Sequence, residues 1–546
     1  MENPNNREHG MSSRFDVEPV EKRLLLSGSV FTVAAGESIQ AAIDAASAGD
    51  TIKIGAGVFN ENLTVGADLD GLTIISKEGA VLQGTGVGID VDAEHVTITG
   101  LHWVDYDETI RLNGADHAEI LNNSFENSGI AISLNGTDDA LVKSNDISDL
   151  RGIGIFLEGD ADRNDIRFND ISNGADLGGG STGIFADSSS GQNLIKDNDI
   201  SGMVGSNGEA AGDGIYIESS GNTVEKNDVS GGSGDGIQIV GDDNSVRSNV
   251  AVGNGQSGFQ IDGNDNRVSG SRVEANSIGV EVSGNGNSIE DVRALLNGVN
   301  GFEVLGDNNT LRYNTATGSG EDGFKTEEGA EGNLFQRNTA SANEDDGFDS
   351  AGANNTFKSN RSTENLDNGF ESSGNGNEFK ANRSVSNQGF GYEIEEGVLN
   401  NILFKNNASF NQLAGIEDLG FDTQLTSNKL KGNGIMMAVS DPTPPSEPTP
   451  PSEPTPPSDP TPPSDPTPPS HDPPSYNPPV YMTPPSYSMP PSIPTPPANP
   501  TPPSMMPTPP PAMPPMMPMM MPMMPTMTNM GGMMLMNFSM MMGAGD

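Results

Sequence analysis

The feature of this sequence that most constrains its fold is a short repeat led by glycine. Between residues 154 and 390, a glycine followed by an aromatic or aliphatic residue recurs about every 22 residues. The pairs are Gly154-Ile155, Gly183-Ile184, Gly214-Ile215, Gly236-Ile237, Gly258-Phe259, Gly279-Val280, Gly301-Phe302, Gly323-Phe324, Gly347-Phe348, Gly369-Phe370 and Gly389-Phe390. A period this short indicates a solenoid, in which each repeat packs only against its neighbours, rather than a chain of globular domains.

Asparagine recurs with the same period at the ends of the strand-like runs. One column precedes the first run of each repeat and consists of Asn193, Asn222, Asn244, Asn266, Asn287, Asn309, Asn333, Asn355 and Asn377. A second pattern, Asn-x-Ala/Ser-x-x-Asn, places Asn338 with Asn343, Asn360 with Asn365, Asn382 with Asn387 and Asn406 with Asn411. Asparagine suits a turn because it tolerates the left-handed backbone conformation, and stacked asparagine side chains can hydrogen-bond along a repeat axis.

These patterns predict an all-β right-handed parallel β-helix of about 18 coils with about 22 residues in each coil. Three short strands and three turns consume that length, because a strand rises about 3.3 Å per residue. Stacked coils then bring aliphatic and phenylalanine side chains together inside the solenoid. Residues 38–46 have apolar side chains at helical spacing, which predicts an N-terminal helix, capped by Ser38 or Glu37, that covers the first coil.

Composition divides the chain into four zones. Residues 1–30 are polar with a short leucine run, and residues 31–435 hold the Gly- and Asn-rich repeats. Residues 436–504 repeat Pro-Thr-Pro-Pro-Ser and predict an extended polyproline linker, while residues 505–546 are a low-complexity segment of Met and Pro. Neither of the last two zones has the composition of a packed core, so we expect a disordered C-terminal tail.

Charge and hydropathy exclude several classes of partner. The formal net charge is −49, and so acidic a surface disfavours nucleic acid and anionic membranes, which bind basic patches. No stretch reaches the roughly 18 apolar residues of a membrane span, and no classical signal peptide is visible. The lack of cysteine excludes disulfides and thiolate metal sites.

The segment ESIQAAIDAASAGDTIKIGAGVFNENLTV, residues 37–65, resembles the opening of pectin-lyase-like β-helix proteins. That superfamily includes polysaccharide lyases, hydrolases, mannuronan C5-epimerases and NosD-type proteins. The resemblance implies an extracellular or cell-surface β-helix protein that binds polysaccharide and belongs to a fold hosting lyase, epimerase and hydrolase chemistry. Residues 17–27 resemble in part the LEPR-XLL segment found near the start of some exported bacterial proteins.

One column of side chains is predicted to face outward. Because side chains alternate along a strand, the residue after each glycine pair should point to solvent. This column, which we call the ridge, consists of Tyr216, Gln238, Gln260, Glu281, Glu303, Lys325, Asp349, Glu371 and Glu393. Glycosidic chemistry commonly uses paired carboxylates, so Glu303, Lys325, Asp349 and Glu371 are the candidate catalytic residues and the other five are candidates for substrate binding. Lys325 can neutralise a uronate or act as a base; the alternative for the whole ridge is a solvated face with salt bridges between coils.

Further residues are candidates for the same site. Asp322 and Asp346 each directly precede a glycine of the repeat and are candidate calcium ligands, because Ca²⁺ prefers oxygen. Trp103 and His102 are candidates for sugar binding, although the indole can instead be buried in the early coils. Epimerases of the superfamily carry Tyr-Gly-Phe-Asp-Pro-His where residues 346–351 of this chain read Asp-Gly-Phe-Asp-Ser-Ala, which keeps the phenylalanine and the aspartate but not the tyrosine, the proline or the histidine.

Polysaccharide is therefore the expected partner and calcium the candidate cofactor, with lyase, epimerase and hydrolase chemistry left open. One alternative is a non-catalytic structural or adhesive surface protein. Another is a NosD-like copper-associated protein in which thioether sulfurs of the Met-rich segment bind Cu(I). The same segment is a candidate contact for export machinery or for another surface partner.

Overall fold

The computed structural model describes residues 28–174, 180–205, 212–435 and 438–439. The segment resembling LEPR-XLL and the Pro- and Met-rich zones lie outside the described residues. The expectations of an export motif, a disordered tail, a copper site and a tail-bound partner therefore stay predictions.

The described chain is a right-handed parallel β-solenoid of about 18 coils, as the repeat predicts. From Thr51–Ile54 onward, each coil contributes one strand to each of three parallel sheets, in the order sheet 1, sheet 2 and sheet 3, whereas the first coil contributes only Val30–Val33 to sheet 1. Sheet 1 consists of Val30–Val33, Thr51–Ile54, Thr73–Ser76, Thr97–Thr99, Glu119–Leu121, Leu141–Lys143, Asp165–Arg167, Leu194–Lys196, Thr223–Glu225, Ser245–Arg247, Arg267–Ser269, Ser288–Glu290, Thr310–Arg312, Leu334–Gln336, Thr356–Lys358, Glu378–Lys380, Ile402–Phe404 and Gln424–Thr426.

Sheets 2 and 3 run beside sheet 1 along the same axis. Sheet 2 consists of Gly57–Phe59, Ala80–Gln83, His102–Val104, Ser124–Glu126, Asp146–Ser148, Asp170–Ser172, Asp199–Ser201, Asp228–Ser230, Val250–Val252, Arg272–Glu274, Arg293–Leu295, Thr315–Thr317, Thr339–Ser341, Arg361–Thr363, Arg383–Val385, Asn407–Ser409 and Lys429–Lys431. Sheet 3 consists of Leu63–Val65, Val87–Val91, Glu108–Asn113, Ile130–Asn135, Ile153–Glu158, Thr182–Ala186, Ile215–Ile217, Ile237–Ile239, Ser257–Ile261, Ile278–Val282, Phe302–Val304, Phe324–Thr326, Phe348–Ser350, Phe370–Ser372, Glu393–Ile394, Glu417–Asp418 and Ala438–Val439.

The core is a set of side-chain stacks that run from coil to coil. In most three-residue strands of sheets 1 and 2 only the central side chain points inward, and in sheet 3 the two residues that flank the outward one do. The residue after the repeat glycine forms such a stack: the rings of Phe302 and Phe324 lie 4.6 Å apart and nearly parallel, and Phe348 follows at 4.8 Å. After Phe370 the stack continues with Tyr392 at 4.9 Å, so the predicted pair Gly389-Phe390 is wrong and the repeat in that coil is Gly391-Tyr392. Coil-to-coil stacking at the parallel-strand spacing thus buries apolar surface without any large globular interior.

The predicted asparagine columns form buried ladders at the three corners of the solenoid. In the corner before sheet 1, the backbone N–H of Asn309 donates to Oδ1 of Asn333 at 2.7 Å, and Asn333 donates to Asn355 at 2.8 Å. The corner after sheet 2 adds bonds between side chains, such as Asn343 Nδ2 to Asn365 Oδ1 at 2.9 Å. These contacts confirm the predicted hydrogen bonding between stacked asparagines along the axis of the solenoid.

The explanation of these asparagines by the left-handed conformation is wrong. The positive φ falls on the residue before each ladder asparagine, for example Asn308 (φ 57°) before Asn309 and Asp243 (φ 56°) before Asn244. That preceding residue turns the corner and points outward, and the ladder asparagine turns inward to satisfy the backbone groups that the corner leaves without a strand partner.

The N-terminal end of the solenoid carries the predicted helix, which spans Ile39–Asp44. Of the two predicted caps, Ser38 is the one at the N-cap, and its Oγ accepts from the backbone N–H of Ala41 at 3.1 Å. Ile39 and Ile43 are buried against the first coils. No helix in the described part of the chain has the length and hydropathy that a membrane span requires.

Replacing Asn338 by alanine should destabilise the solenoid. Oδ1 of Asn338 accepts from the backbone N–H of Asn314 at 2.9 Å, and its Nδ2 donates to the carbonyl of Leu311 at 2.9 Å. Alanine leaves both backbone groups buried without a partner, at a cost of about 1–3 kcal/mol each. We expect a lower Tm by circular dichroism, whereas Asn60→Ala, at an exposed asparagine, should leave the Tm unchanged. Equal melting of both variants would contradict the ladder's role.

Candidate functional site

The ridge is one continuous column on the outward side of sheet 3. Strand pairing brings each ridge residue directly beside the next, from Tyr216 opposite Gln238 to Glu371 opposite Glu393. Tyr216 is only 2% exposed and Gln238 9%, while the remaining seven residues are half-buried. The ridge is therefore partly enclosed rather than a fully solvated face.

Two phenylalanines extend the same column toward the N-terminus. Phe156 pairs with Phe185, and Phe185 pairs with Tyr216. The rings of Phe156 and Phe185 lie 5.0 Å apart, and Phe185 meets Tyr216 edge-on at 5.1 Å. Phe156 and Phe185 are half-buried, so an aromatic surface precedes the polar part of the column. Sequence reasoning missed them although each follows a Gly-Ile pair.

The amides at the start of the ridge are held by one carboxylate. Nε2 of Gln238 donates to Asp262 Oδ2 at 2.8 Å, and Nε2 of Gln260 lies 3.1 and 3.2 Å from the two oxygens of Asp262. Asp262 directly follows the strand Ser257–Ile261 and thus sits at the edge of the ridge. Next along the column, Glu281 accepts from Ser257 Oγ at 3.0 Å, and burial raises the pKa of Glu281.

Lys325 is the positive charge of the ridge. Its Nζ lies 3.3 Å from Oε1 of Glu327, which belongs to the same coil, so the described ridge has no salt bridge of the predicted coil-to-coil kind. Burial acts to lower the pKa of Lys325, but Glu327, Asp322 and Asp349 together outweigh it, and the pKa lies above its ordinary value. The raised pKa favours the charged, hydrogen-bond-donating form of Lys325, and its catalytic role stays a prediction.

Carboxyl groups converge on the coils after Lys325. Asn368 Nδ2 donates to Oε2 of Glu371 at 2.8 Å and to Oε2 of Glu393 at 2.9 Å. On the preceding coils, Glu303 is held in the same way, by Asn300 Nδ2 at 2.9 Å. Burial, with a further contribution from Glu371 and against the attraction of Lys325, raises the pKa of Asp349 to about 7. Burial and then Glu371 raise the pKa of Glu393 to about 7 as well.

Asp322 and Asp346 lie in a further ladder, immediately inside the ridge. Oδ1 of Asp322 accepts from the backbone N–H of Asp346 at 3.0 Å, and Oδ1 of Asp346 accepts from that of Asn368 at 2.6 Å. Both are nearly buried, and burial raises the pKa of Asp322 to about 8. Burial, followed by the nearby Glu371, raises the pKa of Asp346 well above its usual range. Asparagine occupies the equivalent position at Asn300 and Asn368, so these acids are not needed for the fold alone.

The described residues contain one group of acids with the spacing of a metal site. It consists of Asp345, Asp346 and Asp367, whose carboxylate oxygens lie within 4.8 Å of one another. Oxygen donors of this kind fit a hard cation such as Ca²⁺. The group includes the predicted ligand Asp346 but not Asp322, which lies one coil earlier in the ladder.

The aromatic and histidine pair near the N-terminus is not part of this site. Trp103 is 0% exposed and packs edge-on against the buried ring of Tyr106 at 5.9 Å, so its indole cannot stack on a sugar. The prediction of substrate binding by Trp103 is wrong, and the alternative, a tryptophan buried in the early coils, is what the structure has. His102 is half-buried on sheet 2, where it hydrogen-bonds Ser124 at 3.1 Å and faces a different side from the ridge.

The buried aspartates that directly precede repeat glycines should make the free energy of unfolding depend on pH. Burial and the adjacent Asp235 raise the pKa of Asp213 to about 8, and its Oδ1 accepts from the backbone N–H of Asp235 at 2.7 Å. A carboxyl whose pKa is raised on folding destabilises progressively as pH rises from about 4 to about 8. Asp213→Asn keeps the ladder bond and removes this loss. Its free energy of unfolding should therefore exceed that of the wild type by on the order of a few kcal/mol at pH 8 but not at pH 4, and its Tm should be higher only at pH 8. Asp149→Asn, at an exposed corner, should follow the wild type, and identical pH profiles for all three proteins would contradict the prediction.

A comparison with family models agrees with this architecture. The model described as "Right handed beta helix region" matches residues 108–278 and 257–409, which together exceed half of the chain. The chain belongs to the right-handed β-helix family. No curated protein matches the sequence of this β-helix protein.

Several solved β-helix structures resemble it. Alginate lyase from Paenibacillus sp. str. FPU-7 is 18% identical, with 47% of this chain and 95% of that chain covered and a TM-score of 0.34. The A-module of mannuronan C-5 epimerase AlgE4 from Azotobacter vinelandii is 16% identical, with 74% and 92% covered and a TM-score of 0.33. The tailspike protein of E. coli bacteriophage HK620, solved with a pentasaccharide, is 13% identical, with 74% and 72% covered and a TM-score of 0.38. At these identities the likeness concerns the fold alone.

Proposed function

We propose that this β-helix protein binds a polysaccharide along the outward side of sheet 3 and hydrolyses a glycosidic bond at Asp349 and Glu371. One observation carries the proposal: a single column in unbroken register changes from aromatic to amide to carboxyl side chains. A linear polymer that lies along the solenoid axis meets these side chains in succession.

Each part of the column matches one aspect of glycan recognition. The exposed parts of Phe156 and Phe185 offer apolar surface for the C–H face of a sugar ring. Gln238 and Gln260 offer amides fixed by Asp262, and such fixed polar groups give a binding site its specificity. The polymer is proposed to meet the protein outside the cell or at its surface, consistent with the resemblance of residues 37–65.

The carboxyl groups fit acid-assisted hydrolysis. Asp349, with a pKa raised to about 7, is protonated in about half of the molecules at neutral pH and can donate that proton to the departing glycosidic oxygen. Glu371 stands one coil further, held by Asn368, and serves either as the nucleophile or as the base that takes a proton from water. The bond from the anomeric carbon to the leaving oxygen breaks as water supplies the new hydroxyl.

Lyase and epimerase chemistry fit the ridge less well. Both reactions remove a weakly acidic proton from the carbon next to a carboxylate, for which a neutral lysine or histidine is a stronger base than the carboxylate of Glu371. Lys325 keeps its proton, because Glu327, Asp322 and Asp349 raise its pKa, and the ridge carries no histidine. A calcium ion at Asp345, Asp346 and Asp367 would add positive charge beside Glu371 and is included as a variable in the test.

The test uses the purified full chain and a panel of neutral and uronate-containing polysaccharides, with and without Ca²⁺. Binding is measured by calorimetry, and turnover by new reducing ends, new unsaturated ends and the uronate composition. New reducing ends without unsaturation support hydrolysis, whereas unsaturated ends or an altered uronate ratio would replace it by lyase or epimerase chemistry. Binding without any turnover would leave a non-catalytic adhesive protein, and no binding to any glycan would end the proposal.

A further inference from the structure

A shallow pocket opens where the aromatic part of the column meets the first amides of the ridge. Its volume is about 460 Å³, and its lining includes Tyr216, Asp235, Gln238, Gln260 and Asp262. The pocket lies several coils before the carboxyl groups proposed for hydrolysis. It is therefore placed to hold a sugar unit at a distance from the bond that is cleaved.

Hydrogen bonds inside the pocket fix which atoms face a ligand. Asp262 accepts from Nε2 of both Gln238 and Gln260, so the donor side of each amide is engaged by the protein. The carbonyl oxygen Oε1 of Gln238 is not engaged in this way. It is buried without a hydrogen-bond partner, and Gln238 as a whole is only 9% exposed. A buried acceptor in this state is unfavourable until a donor reaches it.

The pocket thus offers acceptors to a ligand. The carboxylates of Asp235 and Asp262 supply acceptors, and the buried Gln238 Oε1 becomes a further one when its side chain turns toward the pocket. Its lining residues include neither lysine nor arginine. Acceptors without a cation favour a ligand that brings O–H or N–H donors and disfavour one that brings a carboxylate, which these acids would repel.

A metal ion is a weaker fit than a sugar. In the described part of the chain, the acids with metal-site spacing are Asp345, Asp346 and Asp367, and none of them lines the pocket. The edge of Tyr216, packed against Phe185, supplies an apolar wall that a hydrated cation does not use.

We infer that this pocket binds a sugar unit that presents hydroxyl donors and carries no carboxylate, with a hydroxyl group donating to Gln238 Oε1. The inference rests on the proposed function and narrows its substrate to a glycan that is neutral at this position.

The test titrates the full chain with a neutral hexose oligosaccharide and, separately, with an oligouronate of equal length. We expect the neutral probe to bind, and Gln238→Leu to weaken its binding about tenfold by removing the acceptor. Gln336→Leu, at a half-buried glutamine on sheet 1, is the matched control and should bind as the wild type does. Tighter binding of the oligouronate would overturn the inference but leave the proposed function standing. No binding of either probe would count against both.

A second measurement needs no variant and covers the case in which Gln238→Leu fails to fold. Carbodiimide labelling of the half-buried Asp262 is followed by mass spectrometry in the unmodified chain. The neutral probe should lower the labelling of Asp262 and leave that of the exposed Asp149 unchanged. Protection that appears elsewhere and not at Asp262, or equal binding by folded Gln238→Leu, would overturn the inference.

Discussion

Asp349→Asn is expected to lower the rate of glycan hydrolysis by about 100-fold or more while leaving glycan binding nearly unchanged. The amide has the size of the carboxyl but no proton to give, and general acids commonly contribute about 10²–10⁴-fold. Asp349 lies between Lys325 and Glu371 in the column, so the substitution changes the chemistry without removing a ladder bond. Reducing-end assays give the rate, and calorimetry with a slowly cleaved oligosaccharide gives the affinity.

The pH dependence distinguishes a general acid from a merely structural carboxyl. Because burial raises the pKa of Asp349 to about 7, the wild-type rate should fall as pH rises through about 7, where the proton is lost. The residual rate of Asp349→Asn should lack that alkaline limb. Asp149→Asn, an exposed acid away from sheet 3, is the control and should keep both the rate and the profile. A variant at Asp349 with wild-type turnover would exclude this residue as the acid.

The part of the site that could be predicted is the part that the repeat encodes. One register applies to every coil, so the position after each glycine pair identifies the ridge from Tyr216 to Glu371 without any coordinates. Glu393 also lies on the ridge, but it follows Gly391-Tyr392 and not the predicted pair Gly389-Phe390. The same rule would have reached Phe156 and Phe185, which follow Gly154-Ile155 and Gly183-Ile184. A rule that looks only for polar residues at this position misses them, although an aromatic residue at an outward position is the more unusual signal.

The predictions that failed depend on contacts between coils. By residue type alone, Trp103 is a candidate to stack on a sugar ring. It is, however, the central residue of His102–Val104, and it pairs with Leu82 and Phe125, whose side chains point into the core. Likewise, the positive φ lies at Asn308 and not at Asn309, because Asn308 is the residue that turns the corner before the strand of sheet 1. The enclosure that raises the carboxyl pKa values depends on packing around each group, which sequence spacing does not contain.

The glycine of the repeat has a steric cause that only the structure reveals. Sheet 2 approaches sheet 3 so closely that a Cβ atom on Gly347 would lie 2.2 Å from Ser362 Oγ, 2.7 Å from Asn365 Nδ2 and 2.8 Å from the carbonyl oxygen of Gly369. Gly347→Ala should therefore be strongly destabilising, by about 2–4 kcal/mol, because both side chains and the backbone of the next coil must move. Thermal melting of the full chain measures the loss.

Gly298→Ala is the matched control for this substitution. Its Cβ would meet no atom closer than 3.7 Å and its φ lies outside the left-handed region, so the Tm should change little. Similar melting of the two variants would show that close approach is not the reason for glycine in the repeat.

A second substitution separates one of the three close contacts at Gly347 from the other two. Adding Ser362→Ala removes the nearest atom, Ser362 Oγ, but it also removes the acceptor of the 2.7 Å bond from Asn365 Nδ2, and the carbonyl of Gly369 stays in place. The double variant should therefore recover part of the lost Tm and not all of it. Because Asp349 follows Gly347 by two residues in the same coil, any turnover of the double variant should recover less than its Tm does. The carboxyl of Asp349 has to lie within hydrogen-bond distance of the glycosidic oxygen. A small shift of the backbone removes that contact although the solenoid still folds.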